Sequence, residues 1–455
     1  MFEVKYFCGD ESMKFTLEEI EKALDVKIEN KVSGKFEIST DTRTIKQGDL
    51  YLPLKGANFD GENFCQKAIE QGASGCFYTK VKPCNLSIKV DDTLSAYLRI
   101  ANFARNKYNP IVIGVTGSSG KTTTKEMIYS VVSEKYRTQK TFSNHNNEIG
   151  FCQTVLSMAE DCEVLIVEMG MRGLGEIELI TKFAEPDYAV ITNAGSAHIG
   201  RLGSLDNIAK AKCEITKYLK KALIAHDNER IKRFANFDGE KLFYSLNDVQ
   251  IQEKRAGYSR FVYKNKEYEL NIEGDYNIEN SISAIEIGLH LGMSYEEIRN
   301  GLRKYKPIEK RWEIENVKGF NIINDSYNAN PESMKAAVST FLELYKNPVV
   351  VLGNMGELGD DEAELHKSVG NYISKNFKGK LAPNAKFILV GNLAKYIGED
   401  LEKSGMNVLY FDDYIATSRY ILDNLNIGTT IFLKASRAMK FEQIIEQLKR
   451  EGELV

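Results

Sequence analysis

The stretch Ile111-Val-Ile-Gly-Val-Thr-Gly-Ser-Ser-Gly-Lys-Thr-Thr-Thr124 decides how the middle of this chain folds. It opens with a short, mostly β-branched run, which predicts a buried strand. The run breaks into a Gly/Ser turn and then into a segment compatible with a helix from Thr122 to Ser133. A strand, a glycine loop and a helix start in this order predict a phosphate-binding loop. Backbone N–H groups and the positive end of the helix would hold the anion.

Two kinds of side chain complete the predicted phosphate loop. Lys121 supplies a full positive charge, and the hydroxyl of Thr122 or Thr123 is placed to bind a Mg²⁺ ion that bridges the phosphates. The usual pattern has a glycine five positions before Gly120, where this chain has Val115, so the loop is a Thr-Gly-Ser-Ser-Gly-Lys-Thr variant. The alternative is a Gly/Ser turn beside a surface lysine, but the strand before it and the helix after it favour the phosphate loop.

Length and composition limit the class of protein. A chain of 455 residues is too long for one hydrophobic core and predicts about three domains. A net charge of −4 argues against nucleic acid as the main partner. The seven cysteines show no C-x-x-C spacing, which favours reduced thiols over disulfides or a zinc site. Residues 1–10 lack a secretory pattern, and no apolar run approaches the ~20 residues that span a bilayer. We therefore expect a cytoplasmic monomer without a membrane span.

Patterning divides the chain into three predicted α/β domains. Residues 1–107 form a small N-terminal α/β domain, and residues 108–307 form a central phosphate-loop domain with a mostly parallel, doubly wound sheet. Polar Phe/Tyr/Val alternations between 226 and 270 predict hairpins at its edge. Residues 308–455 form a C-terminal Rossmann-like domain. Its strands are predicted at Phe320–Asn324, Val349–Leu352, Phe387–Val390, Val408–Phe411 and Thr430–Leu433.

Charged residues follow two strands of the predicted central sheet. The strand Glu163–Glu168 ends in a carboxylate, and the loop after Tyr188–Asn193 carries His198. Because ligands collect at the carboxyl ends of parallel strands, the phosphate loop, Glu168 and His198 should lie close together. A phosphate-bound metal needs an acidic oxygen, which favours Glu168 as its partner. A surface acid and a structural histidine remain the alternatives.

Some candidate residues stay ambiguous on the residues alone. Lys212 shares its helix with Lys210 and Lys217, and the three are indistinguishable as solvated charges. Asn277 and Asn280 lie one helical turn apart, so they could present amides to one ligand or cap the helix.

Four loops have side chains suited to a polar ligand. Three of them follow strands of the third domain, at 324–331, 353–359 and 434–437, and together they argue for a site on that sheet edge. Pro331 can open the next helix. The fourth is the turn Asp41-Thr-Arg43 in the N-terminal domain, where local capping is favoured over ligand binding.

These motifs give the chain a specific resemblance to the Mur ligases, cytoplasmic ATP-dependent enzymes of peptidoglycan precursor synthesis. The motifs are Asp41-Thr-Arg43, Asp60-Gly61, Thr116–Thr123, Asn144–Gly150, Glu168–Gly170, Ala197-His198, Ala211–Glu214, Asn277 with Asn280, Lys310–Glu313, Asp325–Pro331, Gly353–Gly359 and His366. The resemblance implies that ATP phosphorylates the carboxylate ending the peptide of UDP-N-acetylmuramoyl-tripeptide. The amine of D-alanyl-D-alanine would then attack the acyl phosphate, giving an amide and phosphate.

The resemblance also implies a role for each site residue. The catalytic residues would be Lys121, Glu168, His198 and Lys212. Mg²⁺ would be bound by Thr122, Glu168, His198 and Lys212, the last as a carbamate. ATP would be bound by Thr116, Gly117, Ser118, Ser119, Gly120, Lys121, Thr122, Thr123, Asn280, Arg311 and Asp325. The uridine end would meet Asp41, Thr42 and Arg43; the muramoyl peptide would meet His145, Asn146 and Asn147; Tyr327, Asn328 and Asn330 would complete the substrate contacts.

Two other interpretations remain open on the sequence alone. A folylpolyglutamate synthase-like ligase would share the central and third domains, but the uridine-type N-terminal domain argues against it. A nucleotide-switched binding module or GTPase is the alternative from a different class. Its only candidate motif, Asn265-Lys-Glu-Tyr268, lacks the aspartate that would select guanine.

Overall fold

The computed structural model describes residues 13–56, 58–308 and 310–450. The predictions made for residues 1–10, including the reduced state of Cys8, lie outside the described residues. The strands are β1 (Ile38–Ser39), β2 (Leu50–Tyr51), β3 (Gly75–Tyr78), β4 (Ser87–Lys89), β5 (Ile111–Thr116), β6 (Thr138–Lys140), β7 (Val164–Glu168), β8 (Tyr188–Ile191), β9 (Ala222–His226), β10 (Glu240–Tyr244), β11 (Val249–Arg255), β12 (Tyr258–Tyr263), β13 (Lys266–Leu270), β14 (Glu313–Val317), β15 (Phe320–Asn324), β16 (Val349–Gly353), β17 (Lys386–Val390), β18 (Asn407–Phe411) and β19 (Thr430–Lys434).

Helices pack on these strands in every part of the chain. They are α1 (Leu17–Leu24), α2 (Cys65–Glu70), α3 (Thr93–Tyr108), α4 (Lys121–Val132), α5 (Glu148–Leu156), α6 (Glu176–Ala184), α7 (Ile199–Leu202), α8 (Leu205–Cys213), α9 (Glu229–Phe234), α10 (Asp275–His290), α11 (Tyr295–Lys304), α12 (Pro331–Leu344), α13 (Glu362–Phe377), α14 (Lys395–Lys403), α15 (Tyr414–Asn424) and α16 (Glu442–Arg450). None of these helices is long and apolar enough to cross a membrane. The alternation of strands and helices confirms the predicted α/β class.

The N-terminal strands form a parallel four-stranded sheet in the order β1-β2-β3-β4. A capping box between Thr16 and Glu19 begins α1, because each side chain accepts a hydrogen bond from the other residue's backbone N–H. Leu17, Ile20 and Leu24 are buried on one face of this helix. Helix α3 packs against α1 and also against α5 and α6, so it joins this sheet to the central part of the chain.

The central sheet is entirely parallel, with the strand order β10-β9-β8-β5-β7-β6. The predicted hairpins are confirmed for β11-β12-β13, which form a separate antiparallel sheet. For residues 240–244 the hairpin prediction is wrong, because β10 pairs in parallel with β9 at the sheet edge. As an edge strand it is only partly buried, and its first two residues are exposed, so the sequence does not mark it as part of a buried parallel sheet.

The C-terminal sheet has the order β14-β15-β19-β16-β17-β18 and is parallel except for β14. All five predicted strands are present within one residue at each end. The missed strand, β14, is a polar edge strand that pairs antiparallel with β15. Trp312 precedes it and packs against Phe432 and Tyr276, with ring centroids 5.3 and 6.2 Å away. This buried ring therefore bridges the C-terminal sheet and helix α10 of the central part.

Candidate active site

The phosphate loop connects β5 to α4, as the sequence predicts. Gly117 and Gly120 have φ of +152° and +79°, and a Cβ at Gly117 would lie 1.9 Å from Thr192 Oγ1. Only glycine fits this conformation at so close an approach. Helix α4 begins without a side-chain cap, which leaves its first N–H groups available to an anion. The ammonium of Lys121 donates to the Gly117 carbonyl at 2.7 Å and so lies against the loop.

Asn193, at the carboxyl end of β8, fixes the shape of this loop. Its Oδ1 accepts hydrogen bonds from the backbone N–H groups of Ser118 and Ser119, at 3.2 and 3.0 Å. Its Nδ2 donates to the carbonyl and hydroxyl oxygens of Ser119, at 3.1 and 3.0 Å. This role of Asn193 could not be predicted from the sequence, because asparagine is common wherever a strand runs into a turn.

Glu168 ends β7 and is buried beside the phosphate loop. Its Oε2 accepts from the Thr122 hydroxyl at 2.9 Å, and its Oε1 accepts from Asn146 Nδ2 at 3.0 Å. Burial acts to raise the pKa of Glu168, but the charges of Lys125, Arg311 and Lys121 outweigh it, and the pKa lies below its ordinary value. The carboxylate is therefore ionised and faces the hydroxyl that follows the phosphate loop.

Lys212 is fully buried, so the view of it as a solvated helix charge is wrong. Lys210 and Lys217 are exposed as expected. Lys212 and Lys210 are two positions apart on a helix and so point to different sides. Among the described residues, Lys212 Nζ has no hydrogen-bond partner. Burial and then the charge of Lys121 lower the pKa of Lys212 well below its ordinary value, which favours a neutral amine.

Loops of the C-terminal sheet close over the loop that carries His198. His198 has a left-handed backbone with φ of 65°, and its Nδ1 lies 2.5 Å from Glu357 Oε2 without hydrogen-bond alignment. Gly200 N–H donates to the Glu357 carbonyl at 3.2 Å. Ser196 donates to Glu332 Oε2 from its N–H at 3.3 Å and from its hydroxyl at 2.7 Å. Glu332 and Glu357 therefore connect the loop after β8 to the C-terminal part of the chain.

The loop after β15 is held by a buried lysine. Lys434 Nζ donates to Asp325 Oδ2 at 2.6 Å and to the Asn328 carbonyl at 3.2 Å. The Arg311 guanidinium stacks on the Tyr327 ring at 3.8 Å. Pro331 occupies the first turn of α12, as predicted, and Asn330 caps this helix, which was not predicted. This network fixes the polar loop against the end of β19.

One cavity of about 1360 Å³ brings most of the candidate residues together. The candidates that line it are Ser118, Ser119, Gly120, Lys121, Thr122, Thr123, His145, Asn146, Asn147, Glu168, His198, Asn280, Arg311, Asp325, Tyr327, Asn328 and Asn330. Thr116, Gly117 and Lys212 are buried and do not line it. The cavity thus joins the phosphate loop to the polar loops of the C-terminal sheet.

Asp41, Thr42 and Arg43 lie outside this cavity. Asp41 accepts hydrogen bonds from the backbone N–H and the guanidinium of Arg43, at 2.9 and 2.6 Å. The Arg43 side chain is 84% exposed, which agrees with the local-capping alternative. Asn277 is also engaged locally, because its Nδ2 donates to the Glu273 carbonyl at 2.6 Å. Asn280 instead faces the phosphate loop, where a Cβ at Gly120 would lie 2.7 Å from its Oδ1.

The cavity has further polar lining that the sequence analysis missed. Tyr276 and Trp312 line it, and their hydroxyl and Nε1 are buried without a hydrogen-bond partner among the described residues. The other missed lining residues include His226, Asn228 and Glu279, whereas Arg437 ends the loop 434–437 that the sequence had marked as suited to a ligand. Trp312 is the single tryptophan of the chain and lies inside a quoted motif, so it could have been singled out. The remainder carry no local pattern that distinguishes them from surface residues.

The chain has an α/β fold with a phosphate loop, a buried acid beside that loop and a second sheet across the same cavity. These features define a nucleotide-binding enzyme of the phosphate-loop class. Three family models match the chain: the Mur ligase family catalytic domain at residues 37–110, the Mur ligase middle domain at 115–288, and the Mur ligase glutamate ligase domain at 310–437. The chain belongs to the Mur ligase family.

Individual relatives match over nearly the full length. The UDP-N-acetylmuramoyl-tripeptide–D-alanyl-D-alanine ligase of Bacillus subtilis (strain 168) is 38% identical over 430 residues, which cover 90% of this chain and 92% of the relative. The crystal structure of MurF from Acinetobacter baumannii is 26% identical, with a TM-score of 0.87, and covers 96% of this chain and 99% of that one. The MurF ligase of Thermotoga maritima in complex with ADP is 25% identical, with a TM-score of 0.81, and covers 92% and 98%.

Proposed function

We propose that this enzyme is an ATP-dependent ligase that joins D-alanyl-D-alanine to UDP-N-acetylmuramoyl-tripeptide, with release of ADP and phosphate. The observation that carries the proposal is the single cavity lined by both the phosphate loop and the Asp325–Asn330 loop. A nucleotide at the first and an acceptor at the second would meet in that space. The full-length similarity to relatives with this activity supports the choice of substrates.

In the first step, a carboxylate oxygen of the tripeptide attacks the γ-phosphorus of ATP. The new O–P bond forms as the bond to the bridging oxygen breaks, and the electron pair leaves on ADP. Both reactants are anions, so the site must supply positive charge. Lys121, the N-terminus of α4 and Arg311 supply it, because all three line the cavity. Asn280 is proposed to contact the adenine, and Asp325 to close over the nucleotide from the C-terminal side.

The donors beside the phosphate loop suit a magnesium ion. Among the described residues, no three His, Cys, Asp or Glu side chains form a ready metal cluster. The ion would therefore share its ligands between the protein and the phosphates, as Mg²⁺ commonly does. Glu168 and Thr122 offer oxygen ligands 2.9 Å apart, with His198 and a carbamate on Lys212 as the further proposed ligands. When bound, Mg²⁺ neutralises phosphate charge.

In the second step, the free amine of D-alanyl-D-alanine attacks the acyl carbon. The tetrahedral intermediate collapses to the amide, and phosphate leaves with one former carboxylate oxygen. Tyr327, Asn328 and Asn330 are the proposed acceptor contacts. His145, Asn146 and Asn147 are proposed to hold the muramoyl peptide, and Asp41, Thr42 and Arg43 the uridine end. We also propose that the enzyme is a monomer and that it is cytoplasmic; the six free thiols of the described residues support the cytoplasmic location.

Arg437 is suited to bind the terminal carboxylate of the acceptor, since it lines the cavity and lies 5.7 Å from the Tyr327 ring. We predict that Arg437→Met raises KM for D-alanyl-D-alanine about tenfold or more, because a hydrogen-bonded charge pair would be lost. KM for ATP should stay near the wild-type value, because Arg437 belongs to the turn that follows β19 and not to the phosphate loop. Initial rates against each substrate check this. An unchanged KM for D-alanyl-D-alanine would exclude the role.

We predict that the contact between Glu332 and Ser196 holds the central and C-terminal parts of the chain together during turnover. Glu332→Ala removes the acceptor of two hydrogen bonds, so kcat/KM for the acceptor should fall about tenfold. Glu332→Gln is the matched control, because its amide oxygen can still accept both bonds, and it should stay close to wild type. Solution scattering should show a larger radius of gyration for the alanine variant with a bound ATP analogue. Identical curves for both variants would contradict the link.

The proposed activity is tested by phosphate release with each combination of substrates. We expect turnover of ATP only when UDP-N-acetylmuramoyl-tripeptide and D-alanyl-D-alanine are both present. A folylpolyglutamate synthase-like enzyme would instead respond to a folate and glutamate. A nucleotide-switched module would hydrolyse nucleotide at the same rate without either substrate, and that result would overturn the proposal.

A further inference from the structure

We propose that Lys125 is a positioning residue for this reaction, which holds Glu168 and the segment 141–146 in fixed relation. The inference rests on the proposed function, because it concerns how the nucleotide and muramoyl-peptide halves of that site are coupled. Lys125 lies one turn after Lys121 on α4, and it does not line the cavity. It would act through Glu168 and Asn146 without touching a substrate.

The surroundings of the Lys125 ammonium are unusual for a lysine. The residue is completely buried, and its Nζ donates to the carbonyl oxygens of Thr141 at 2.8 Å and Ser143 at 3.2 Å. These carbonyls belong to the chain that leads from β6 into the predicted muramoyl-peptide segment. Burying an ammonium is costly unless it is paired and hydrogen-bonded, so this arrangement is highly specified by its partners.

Two carboxylates lie close to the Lys125 ammonium. Its Nζ is 3.3 Å from Glu126 Oε1 and 3.5 Å from Glu168 Oε2. Glu126 is in turn paired with Lys140 on β6. Lys125 thus compensates the buried charge of Glu168 at Oε2, which also accepts from Thr122, while Oε1 accepts from Asn146.

Asn146 closes this network on the peptide side. Its Nδ2 donates to Glu168 Oε1 at 3.0 Å, and its carbonyl accepts from Gly170 N–H at 2.7 Å. A Cβ on Gly170 would lie 2.6 Å from Asn146 Oδ1, so the segment is packed tightly on the end of β7. The proposed metal ligand and the proposed peptide segment therefore share one hydrogen-bonded unit, with Lys125 bonded to both.

This unit predicts an unusual kinetic pattern when Lys125 is changed. Lys125→Met keeps the aliphatic stem and removes the charge. We expect kcat/KM for UDP-N-acetylmuramoyl-tripeptide to fall about 10- to 100-fold, and the Mg²⁺ concentration for half-maximal rate to rise about tenfold. KM for D-alanyl-D-alanine should not change. Lys125→Arg keeps the charge and should recover part of both losses.

A readout independent of turnover is the affinity for the UDP-linked substrate without ATP or Mg²⁺, measured by calorimetry. We expect Lys125→Met to weaken it about tenfold, since the peptide segment loses its anchor. Lys135→Met is the matched control, because it removes an exposed lysine shortly after the end of α4 whose Nζ donates to the Gly292 carbonyl. It should bind the substrate with wild-type affinity.

Asn146→Ala provides a second route if Lys125→Met does not fold. If Asn146 only contacts the substrate, Asn146→Ala should change the affinity for UDP-N-acetylmuramoyl-tripeptide alone. If Asn146 belongs to the proposed unit, the Mg²⁺ concentration for half-maximal rate should rise as well. The inference is overturned if wild type is active and both variants keep its Mg²⁺ dependence and substrate affinity, even with lower melting temperatures. An inactive wild type would instead refute the proposed function.

Discussion

Replacing Lys121 with methionine should lower kcat by about 10²- to 10³-fold, because the enzyme loses the charge that we propose stabilises the transferred phosphoryl group. The fold should survive, since Lys121 Nζ is bonded only to the Gly117 carbonyl of its own loop among the contacts described. Burial already lowers the pKa of this ammonium, so removal of the charge should not reduce the melting temperature. Initial rates and thermal unfolding measure the two effects.

The matched control for Lys121 is Lys135→Met. Lys135 is exposed shortly after the end of the same helix, where its Nζ donates to the Gly292 carbonyl at 2.8 Å. Its replacement should leave kcat unchanged. A Lys121→Met enzyme that keeps more than half of the wild-type kcat would show that the loop does not act on the phosphoryl group.

Replacing Lys212 with alanine should abolish most activity, by about 100-fold or more, and short carboxylic acids should restore part of it. The reason is the state of this side chain: it is fully buried, it has no hydrogen-bond partner among the described residues, and its pKa is strongly lowered. A neutral amine can take up CO₂ and become an anionic carbamate, which a small acid in the vacated space would replace. Rates with and without acetate or formate measure this.

Lys210→Ala is the control for Lys212. It lies on the same helix, is exposed, and sits 5.2 Å from the Phe234 ring, so its loss should change neither rate nor acetate response. Full activity of Lys212→Ala without added acid would exclude the carbamate. If Lys212→Ala loses activity and no added acid restores it, Lys212 does not act as a carbamate that a small acid can replace, and the proposed role is contradicted.

Local features of this fold could be predicted because their causes are local. The strand Ile111–Thr116, the turn glycines and the start of α4 follow from β-branched residues, tight backbone geometry and a helix terminus within a few positions. The edge strand β14 was missed because its polar residues are held by pairing with β15, a contact that no local pattern encodes.

Site residues could be predicted from the sequence where they lie at strand ends. They could not be predicted where their position depends on contacts with residues far away in the sequence. Glu168 and His198 could be placed because carboxyl ends of parallel strands meet at one edge. The burial of Lys212 depends on which face of the helix packs inward, and no local pattern distinguishes Lys212 from Lys210. The bond from Asn146 to Glu168 and the contact of Glu357 with His198 join separate elements, so only the folded chain shows them.

The central claim is that the tripeptide carboxylate is activated as an acyl phosphate in the shared cavity. The most direct measurement uses UDP-N-acetylmuramoyl-tripeptide labelled with ¹⁸O in both oxygens of its terminal carboxylate, together with ATP and D-alanyl-D-alanine. Mass spectrometry of the products then locates the label. We expect one ¹⁸O in the released phosphate and one in the new amide carbonyl of the product. Phosphate free of ¹⁸O, at a rate that matches amide formation, would contradict it.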